Sequence, residues 1–373
     1  MAFAPLIQRY GLGILAILSV INLSTAAPFN AALNVADAPC TEPRVRREWR
    51  SLNDAEKGEY IGAIKCLMAA APTGKQYFEP ITSRYEDFVA MHVNATGGGV
   101  LNTERGFPMG GTTGIHGVGI FYPWHRYTVW QFEETLRNEC NYTGAQPYWD
   151  WHLDTPEAGG SFVTSPLFDP VTGFGGNGAE DEEDDDEGSR GWGSAFGGFF
   201  GGGSGGGCIQ DGPFKDIKLH LGPMSTVKVG NERCLTRDFQ GASAERSATK
   251  ANIAKTLAID TYASFRSSTE GSSGLHNAGH GGMMDVFSSP NDPLFWMHHT
   301  QIDRIWAIWQ SQSESRLAEM AGTTRAPVTL DSMLWMGFNA PDQPVRTVMD
   351  TLNRNGEGFL CYKYDVGIEE FVD

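Results

Sequence analysis

The sequence predicts a mainly α-helical fold with few short strands, its helices joined by long irregular connections. Two observations carry that reading: apolar residues recur at helical spacing, and residues that start helices precede three of the four helical stretches. The first stretch, SLNDAEKGEYIGAIKCL from Ser51, opens on a candidate N-cap and carries acidic residues in its first turn. Tyr60, Ile61, Ile64 and Leu67 then recur on one face. The second runs roughly from Thr82 to Val93. The third begins near Pro123, a residue favoured in a first turn, with Val129, Phe132 and Leu136 along one side. The fourth starts at Asp292-Pro293 and continues through Trp309. Between Gly173 and Gly207 the composition turns Gly-rich, interrupted by an acidic block and by Trp192, Phe196, Phe199 and Phe200. Such a stretch buries too little apolar surface to offset its ordering entropy, so a flexible surface insertion is expected there.

Residues 1–26 combine an early Arg9, an apolar run from Leu12 to Leu23 and small residues at Ser24 and Ala26, the pattern of a secretory signal. That run is shorter than the roughly 20 apolar residues of a membrane span, and no later stretch approaches that length. The expectation is a secreted, soluble chain that spans no membrane, with one domain over residues 27–373. Six cysteines, Cys40, Cys66, Cys140, Cys208, Cys234 and Cys361, suit three disulfides whose pairing the sequence does not choose. Their scattered spacing argues against a zinc ribbon or a redox dithiol. Sequons at Asn94 and Asn141 fit a glycosylated surface. Eight of the acidic charges behind the net −17 sit in one block, Glu180 to Glu187, and the rest of the chain is only mildly acidic. Without clustered Lys and Arg to replace counterions, nucleic-acid binding is not expected.

The histidines are the informative feature. His92, His116 and His125 fall in the first half, His276, His280, His298 and His299 crowd the second, and His152 and His220 stand apart. In HNAGH (276–280) two imidazoles four residues apart share a helix face and can grip one metal ion. A third donor comes from DPLFWMHHTQIDRIWAIWQ (292–310). Adjacent helical residues point about 100° apart, so only one of His298 and His299 should reach that ion, and periodicity does not choose between them. Asp303, one turn beyond His299, could orient a ligand ring as an outer carboxylate. His92 shares its face with Tyr85, Phe88 and Val89, and His125 lies inward with Val129, Phe132 and Leu136. His116 precedes that helix on a Gly-rich approach. A lone histidine on an apolar face is ordinarily a satisfied core residue. Two matched triads, mostly beside aromatics, Gly and Pro, point instead to a dinuclear metal centre. On ligand type alone, copper, zinc and iron suit them about equally.

The motifs IHGVGIFYPWHRYTVWQFE (115–133), HNAGH and DPLFWMHHTQIDRIWAIWQ resemble the two copper-binding signatures of the tyrosinase family, which includes catechol oxidases and molluscan haemocyanins. The likeness extends from VRREWRSLNDAEKGEYIGAIKCL (45–67) through YEDFVAMHVNATG (85–97), CIQDGPF (208–214) and ERCLTRDF (232–239) to LCYKYD (360–365). It is strongest toward short secreted fungal members. The resemblance implies an antiparallel four-helix bundle holding two copper ions at its centre. His92, His116 and His125 would bind the first, and His276, His280 and His299 the second. His298 would then be structural, and Phe295 would pack on a ligand imidazole.

The implied activity is oxidation of phenolic or catecholic substrates by dioxygen, with o-diphenols leaving as o-quinones and oxygen reduced to water. Hydroxylating a monophenol also requires loss of a proton whose pKa lies near 10. In family members an Asn and a Glu are proposed to hold a basic water for that step. Asn277 matches the first and Glu270 resembles the second, the alternative being a capping Asn and a surface Glu. Gly281, after His280, should leave the entrance open to bulky phenols. Gly114 stands where many fungal members carry a Cys, so no Cys–His thioether is expected. The chain ends soon after LCYKYD, which implies no C-terminal shielding domain and no activation by its removal. The same histidines would also serve a haemocyanin-like oxygen carrier without turnover.

Overall fold

The computed structural model describes residues 1, 39–98, 114–180, 205–281, 283, 285–322 and 327–371; the expected signal segment beyond its first residue lies outside them. Helix α1 (Asp54–Ala69) starts later than Ser51 suggested. Ser51 closes a short 3-10 turn, and the cap is Asn53, whose side chain accepts from the amides of Ala55 and Glu56 while Glu56 accepts from Asn53 N. This reciprocal box satisfies first-turn donors that Ser51 is too far away to reach. Helix α2 (Arg84–Val93) is capped by Ser83 and runs into a π turn at Asn94–Gly98. Helix α3 (Phe121–Cys140) begins just ahead of Pro123, whose missing amide falls where no helical partner exists. Four shorter helices follow: α4 (Gly241–Ser247), α5 (Lys250–Leu257), α6 (Tyr262–Glu270) and α7 (Leu275–Gly279). The last long helix is α8 (Leu294–Ser311).

The expected helical bundle is present, with α3 against α1 and α8, α1 against α2, and α7, which carries His276, against α8. Trp296 of α8 stacks on Phe132 of α3 with ring centroids 3.8 Å apart, and Phe88 of α2 stands edge-on to both. Strands are minor among the described residues: β1 (Arg44–Arg46) runs parallel to Tyr362–Tyr364, and two further pairs, Gly178–Glu180 with Gly206–Ile209 and Met333–Leu334 with Gln343–Pro344, are antiparallel. The cysteines pair as Cys40–Cys361, Cys66–Cys140 and Cys208–Cys234, the second joining the ends of α1 and α3. No helix among the described residues is long and apolar enough to cross a membrane.

Three expectations change. Asp303 orients no histidine. One of its oxygens accepts from Arg126, and the other from Arg46 (3.2 Å), Tyr362 (2.6 Å) and Tyr364 (2.5 Å), and no histidine nitrogen is among its partners. Its carboxyl is held below the ordinary range despite burial, because the two guanidinium groups favour the anion. It ties α8 to α3, β1 and the C-terminal strand. Asp303→Ala leaves two buried cations short of their partner and is expected to cost about 3–5 kcal/mol, read as a lowered midpoint in urea unfolding.

The proposed insertion is also narrower at both ends than 173–207. Phe174 is fully buried against Trp49 (5.1 Å), and the carbonyls of Phe174, Gly175 and Gly176 accept from Arg237. Residues 173–180 and 205–207 therefore belong to the packed structure, and 181–204 lie outside the described residues. Finally, Asn94 is fully buried at the end of α2, where no glycan can be accommodated, whereas Asn141 is exposed.

Candidate metal centre

Three elements bring the first histidine group together: α2 carries His92, α3 carries His125, and the turn before α3 carries His116. Their ring centroids are 5.2 to 5.8 Å apart. The second group joins α7 and its C-cap to α8. His276 lies 4.5 Å from His280, and both stand within 5.4 Å of His299. One ring nitrogen from each histidine of the first group lies within 4.8 Å of the others, and the same holds for the second group, where His298 joins His276, His280 and His299. The groups abut where His125 stacks on His299 at 4.3 Å, with His116 5.8 Å from His276. The outlying histidines are satisfied elsewhere, His152 on Asp150 and His220 on Glu86, each at 2.8 Å.

Ring nitrogens identify what this arrangement suits. His92 Nδ1 donates to the Phe287 carbonyl (2.7 Å) and His125 Nδ1 to the Phe121 carbonyl (2.8 Å), so each Nε2 carries a lone pair. Both Nε2 atoms are buried without a hydrogen-bond partner among the described residues, as are both ring nitrogens of His299. His276 and His280 turn their Nε2 atoms toward each other at 3.1 Å. Buried lone pairs without donors are costly unless a cation takes them. Burial keeps the rings neutral, reinforced at every ring but His92 by repulsion from neighbouring histidines: His92 is pushed down to about 4, His280 to about 3, and His116, His125, His276 and His299 well below the ordinary value. Neutral imidazole is the ligating form, and an all-imidazole set in two abutting groups fits a pair of copper ions.

Aromatic rings fix the imidazoles laterally. Phe295 lies 4.2 Å from His299 and 5.1 Å from His92. Phe121, not singled out from sequence, does the same from the other side, 4.8 Å from His125 and 5.0 Å from His276. Both phenylalanines stand four residues before a histidine of their own helix, Phe121 before His125 and Phe295 before His299, and that repeated spacing is the signal that could have found Phe121. His298 is buried between Trp151 (5.3 Å) and His280 (4.4 Å), with neither ring nitrogen bonded. It packs on the backbone of Gly279, where an added Cβ would come within 2.1 Å of His298 Nδ1 and 2.6 Å of Trp151 Nε1. Gly279→Ala is therefore expected to destabilise the fold by about 1–3 kcal/mol and to lower bound copper, measured by thermal melting and metal analysis.

A cleft of about 250 Å³ opens onto His276 and His280, with Asn277 and Gly281 in its lining alongside Gln240 and Ser243. Among the described residues, no Asp, Glu, Lys or Arg lines it. Asn277 donates from Nδ2 to the Gly271 carbonyl (2.9 Å). A Cβ on Gly281 would stand 3.3 Å from both Ala244 and Phe162, so a side chain there would press on the cleft wall formed by α4. Glu270, at the end of α6, accepts from the amide of Gly117, next to His116, and from Arg266, both at 2.6 Å. Burial pushes its carboxyl up to about 7, against the pull of those two partners. Glu270 and Asn277 share no direct hydrogen bond.

Residues 82–312 match the family described as the common central domain of tyrosinase. The chain is 34% identical to tyrosinase ustQ of Aspergillus flavus, over 87% of this chain and 80% of that one. It is 30% identical to tyrosinase P of Aspergillus terreus, over 91% and 97%. The N-acetyl-6-hydroxytryptophan oxidase ivoB of Emericella nidulans is also 30% identical, over 92% and 99%. Among solved structures, a mutant polyphenol oxidase from Thermothelomyces thermophila superposes with a TM-score of 0.68 at 32% identity, covering 86% of this chain and 88% of that one. The matched domain contains both histidine groups and the helices that carry them, and on that combined footing this chain belongs to the tyrosinase family, as a copper-dependent oxidoreductase with a dinuclear copper cofactor.

Proposed function

We propose that this chain is a secreted polyphenol oxidase that converts o-diphenols to o-quinones with reduction of dioxygen to water, and that it also ortho-hydroxylates some monophenols. His92, His116 and His125 would hold one copper ion, and His276, His280 and His299 the other. The observation that carries this reading is the set of buried, neutral imidazoles whose lone pairs converge without donors. Copper bound there would supply the one-electron redox steps that zinc cannot.

The chain's own residues supply the rest. The cleft at His276 and His280 has room for a planar ring, and no charged side chain among its described lining has to be desolvated when a neutral phenol enters. Phe121 and Phe295 hold the rings in place. Glu270 is poised near neutrality to take the proton of a monophenol, directly or through one water held with Asn277. The open cleft favours turnover over oxygen carriage. The paired cysteines are in keeping with an oxidising, extracellular setting.

The test is oxygen uptake by the copper-loaded protein with a catechol and, separately, with its matched monophenol. Uptake with both is expected. Uptake with catechol alone would restrict the activity to diphenols and remove the role given to Glu270. Reversible oxygen binding without catechol consumption would overturn the enzyme in favour of a carrier. Asn277→Gly is expected to lower the monophenol-to-diphenol rate ratio, and an unchanged ratio would remove Asn277 from the mechanism.

A further inference from the structure

The cleft at His276 and His280 holds about 250 Å³, against about 150 Å³ for a cavity known to admit benzene. The roughly 100 Å³ left over accommodates a ring substituent of about three non-hydrogen atoms, each the size of a water molecule at about 30 Å³. How that substituent should end is decided by the polar groups of the lining. The hydroxyls of Ser243, Ser247 and Ser272 can rotate to donate or to accept. Two side-chain amides have a fixed polarity instead.

Asn277 donates from Nδ2 to the Gly271 carbonyl (2.9 Å), which can only accept, so Oδ1 is the end left for the cleft. That oxygen is already given to the water beside Glu270. Gln240 is fixed in the same way. Its backbone amide donates to the Gly281 carbonyl (2.5 Å), which seats it beside His280, and its Nε2 donates to Asp238 Oδ2 (3.0 Å). A carboxylate oxygen accepts, so turning the Gln240 amide round would set oxygen against oxygen. Asp238 is held in turn at Oδ1 by the amide of Gly205 (3.1 Å). Gln240 Oε1 accepts no hydrogen bond among the described residues, yet it is not an enclosed atom, and the residue lines the cleft. A fixed, accessible acceptor therefore faces the space beyond the ring.

We propose that Gln240 selects the ring substituent: its Oε1 accepts from a short side chain ending in an N–H or O–H donor and disfavours one ending in a carboxylate. This rests on the reading of the cleft as the phenol site. A carboxylate there would meet the amide oxygen, with no Lys or Arg among the described lining to offset it. Asp238 is a positioning residue. Its oxygen dictates which end of the Gln240 amide faces the substrate, and its charge, passed along the hydrogen-bond chain, strengthens Oε1 as an acceptor.

The experiment measures oxygen uptake by the full, copper-loaded protein with catechols that carry a propyl, 2-hydroxyethyl, 2-aminoethyl or carboxymethyl group opposite one hydroxyl. The readout is kcat/KM relative to the propyl compound on the same preparation, so a general loss of activity or copper cancels. The unaltered protein should favour the aminoethyl over the carboxymethyl compound by about tenfold or more. Gln240→Met, similar in length but without the amide, should lower the relative value about tenfold for the aminoethyl compound and about threefold for the hydroxyethyl one, as for a charged and a neutral hydrogen bond. Asp238→Asn is the sharper variant and keeps the test open if the first does not fold. Its oxygen stays with the Gly205 amide, its new Nδ2 faces Gln240, and the Gln240 amide must turn to present Nε2 to the cleft. The preference should then reverse toward the carboxymethyl compound, which loss of packing alone would not produce. Relative values unchanged in both variants, or a carboxymethyl preference in the unaltered protein, would overturn the role of Gln240 and leave the oxidase standing. Turnover of none of these catechols would overturn the oxidase reading and the substituent preference with it.

Discussion

His299→Ala is expected to abolish oxygen uptake with every phenol and to leave the protein with about one copper ion in place of two, whereas His298→Ala should keep both. The two side chains are adjacent and fully buried, and neither has a bonded ring nitrogen, so burial and bonding do not separate them. Both also stand close to His276 and His280, so the expectation rests on their remaining neighbours. His299 stacks on His125 and is braced by Phe295, which faces it toward the first histidine group. His298 faces Trp151 and the backbone of Gly279. Loss of an outer-sphere support alone typically costs 10–100-fold in metal affinity, so loss of a direct ligand should cost more than about 100-fold. Each truncation also leaves a cavity that destabilises by about 2–4 kcal/mol, so melting temperature should fall in both variants. Copper stoichiometry and oxygen uptake are therefore the discriminating measurements. Copper lost from His298→Ala but retained in His299→Ala would reverse the assignment.

Glu270→Gln is expected to reduce monophenol hydroxylation by about 100-fold, the usual contribution of a positioned base, while catechol oxidation changes by less than about threefold. A catechol reduces the centre without needing a strong base, whereas a monophenol has to surrender a proton with a pKa near 10. Burial raises the Glu270 carboxyl to about 7. Only its ionised form can accept a proton, so kcat/KM for a monophenol should be low in acid, rise as the pH passes through about 7, and level off above. The glutamine keeps an acceptor for the Gly117 amide but cannot titrate, so this limb should vanish from its profile. A rise near pH 7 that persists in Glu270→Gln would assign it to another group.

The long helices were legible because their faces repeat within the chain: Val129, Phe132 and Leu136 are buried as their spacing implied. The two histidine sets were legible for a similar reason, since matched triads are improbable as core filler. Boundaries were less so, because Asn53 and Glu56 form a reciprocal cap that the nearer candidate, Ser51, only mimics.

What tertiary structure alone decided was the partner of each face. Periodicity reports that Asp303 points inward but not what meets it, and Arg126 and Arg46 arrive from 177 and 257 residues away to take its carboxylate. Phe174 looked like the start of a mobile Gly-rich stretch until Trp49 and Arg237 closed over it and its backbone carbonyl. Disulfide pairing and the burial of Asn94 are likewise properties of neighbours distant in sequence. Local spacing encodes which way a side chain faces, whereas hydrogen bonds and ion pairs depend on short distances that only the folded chain creates.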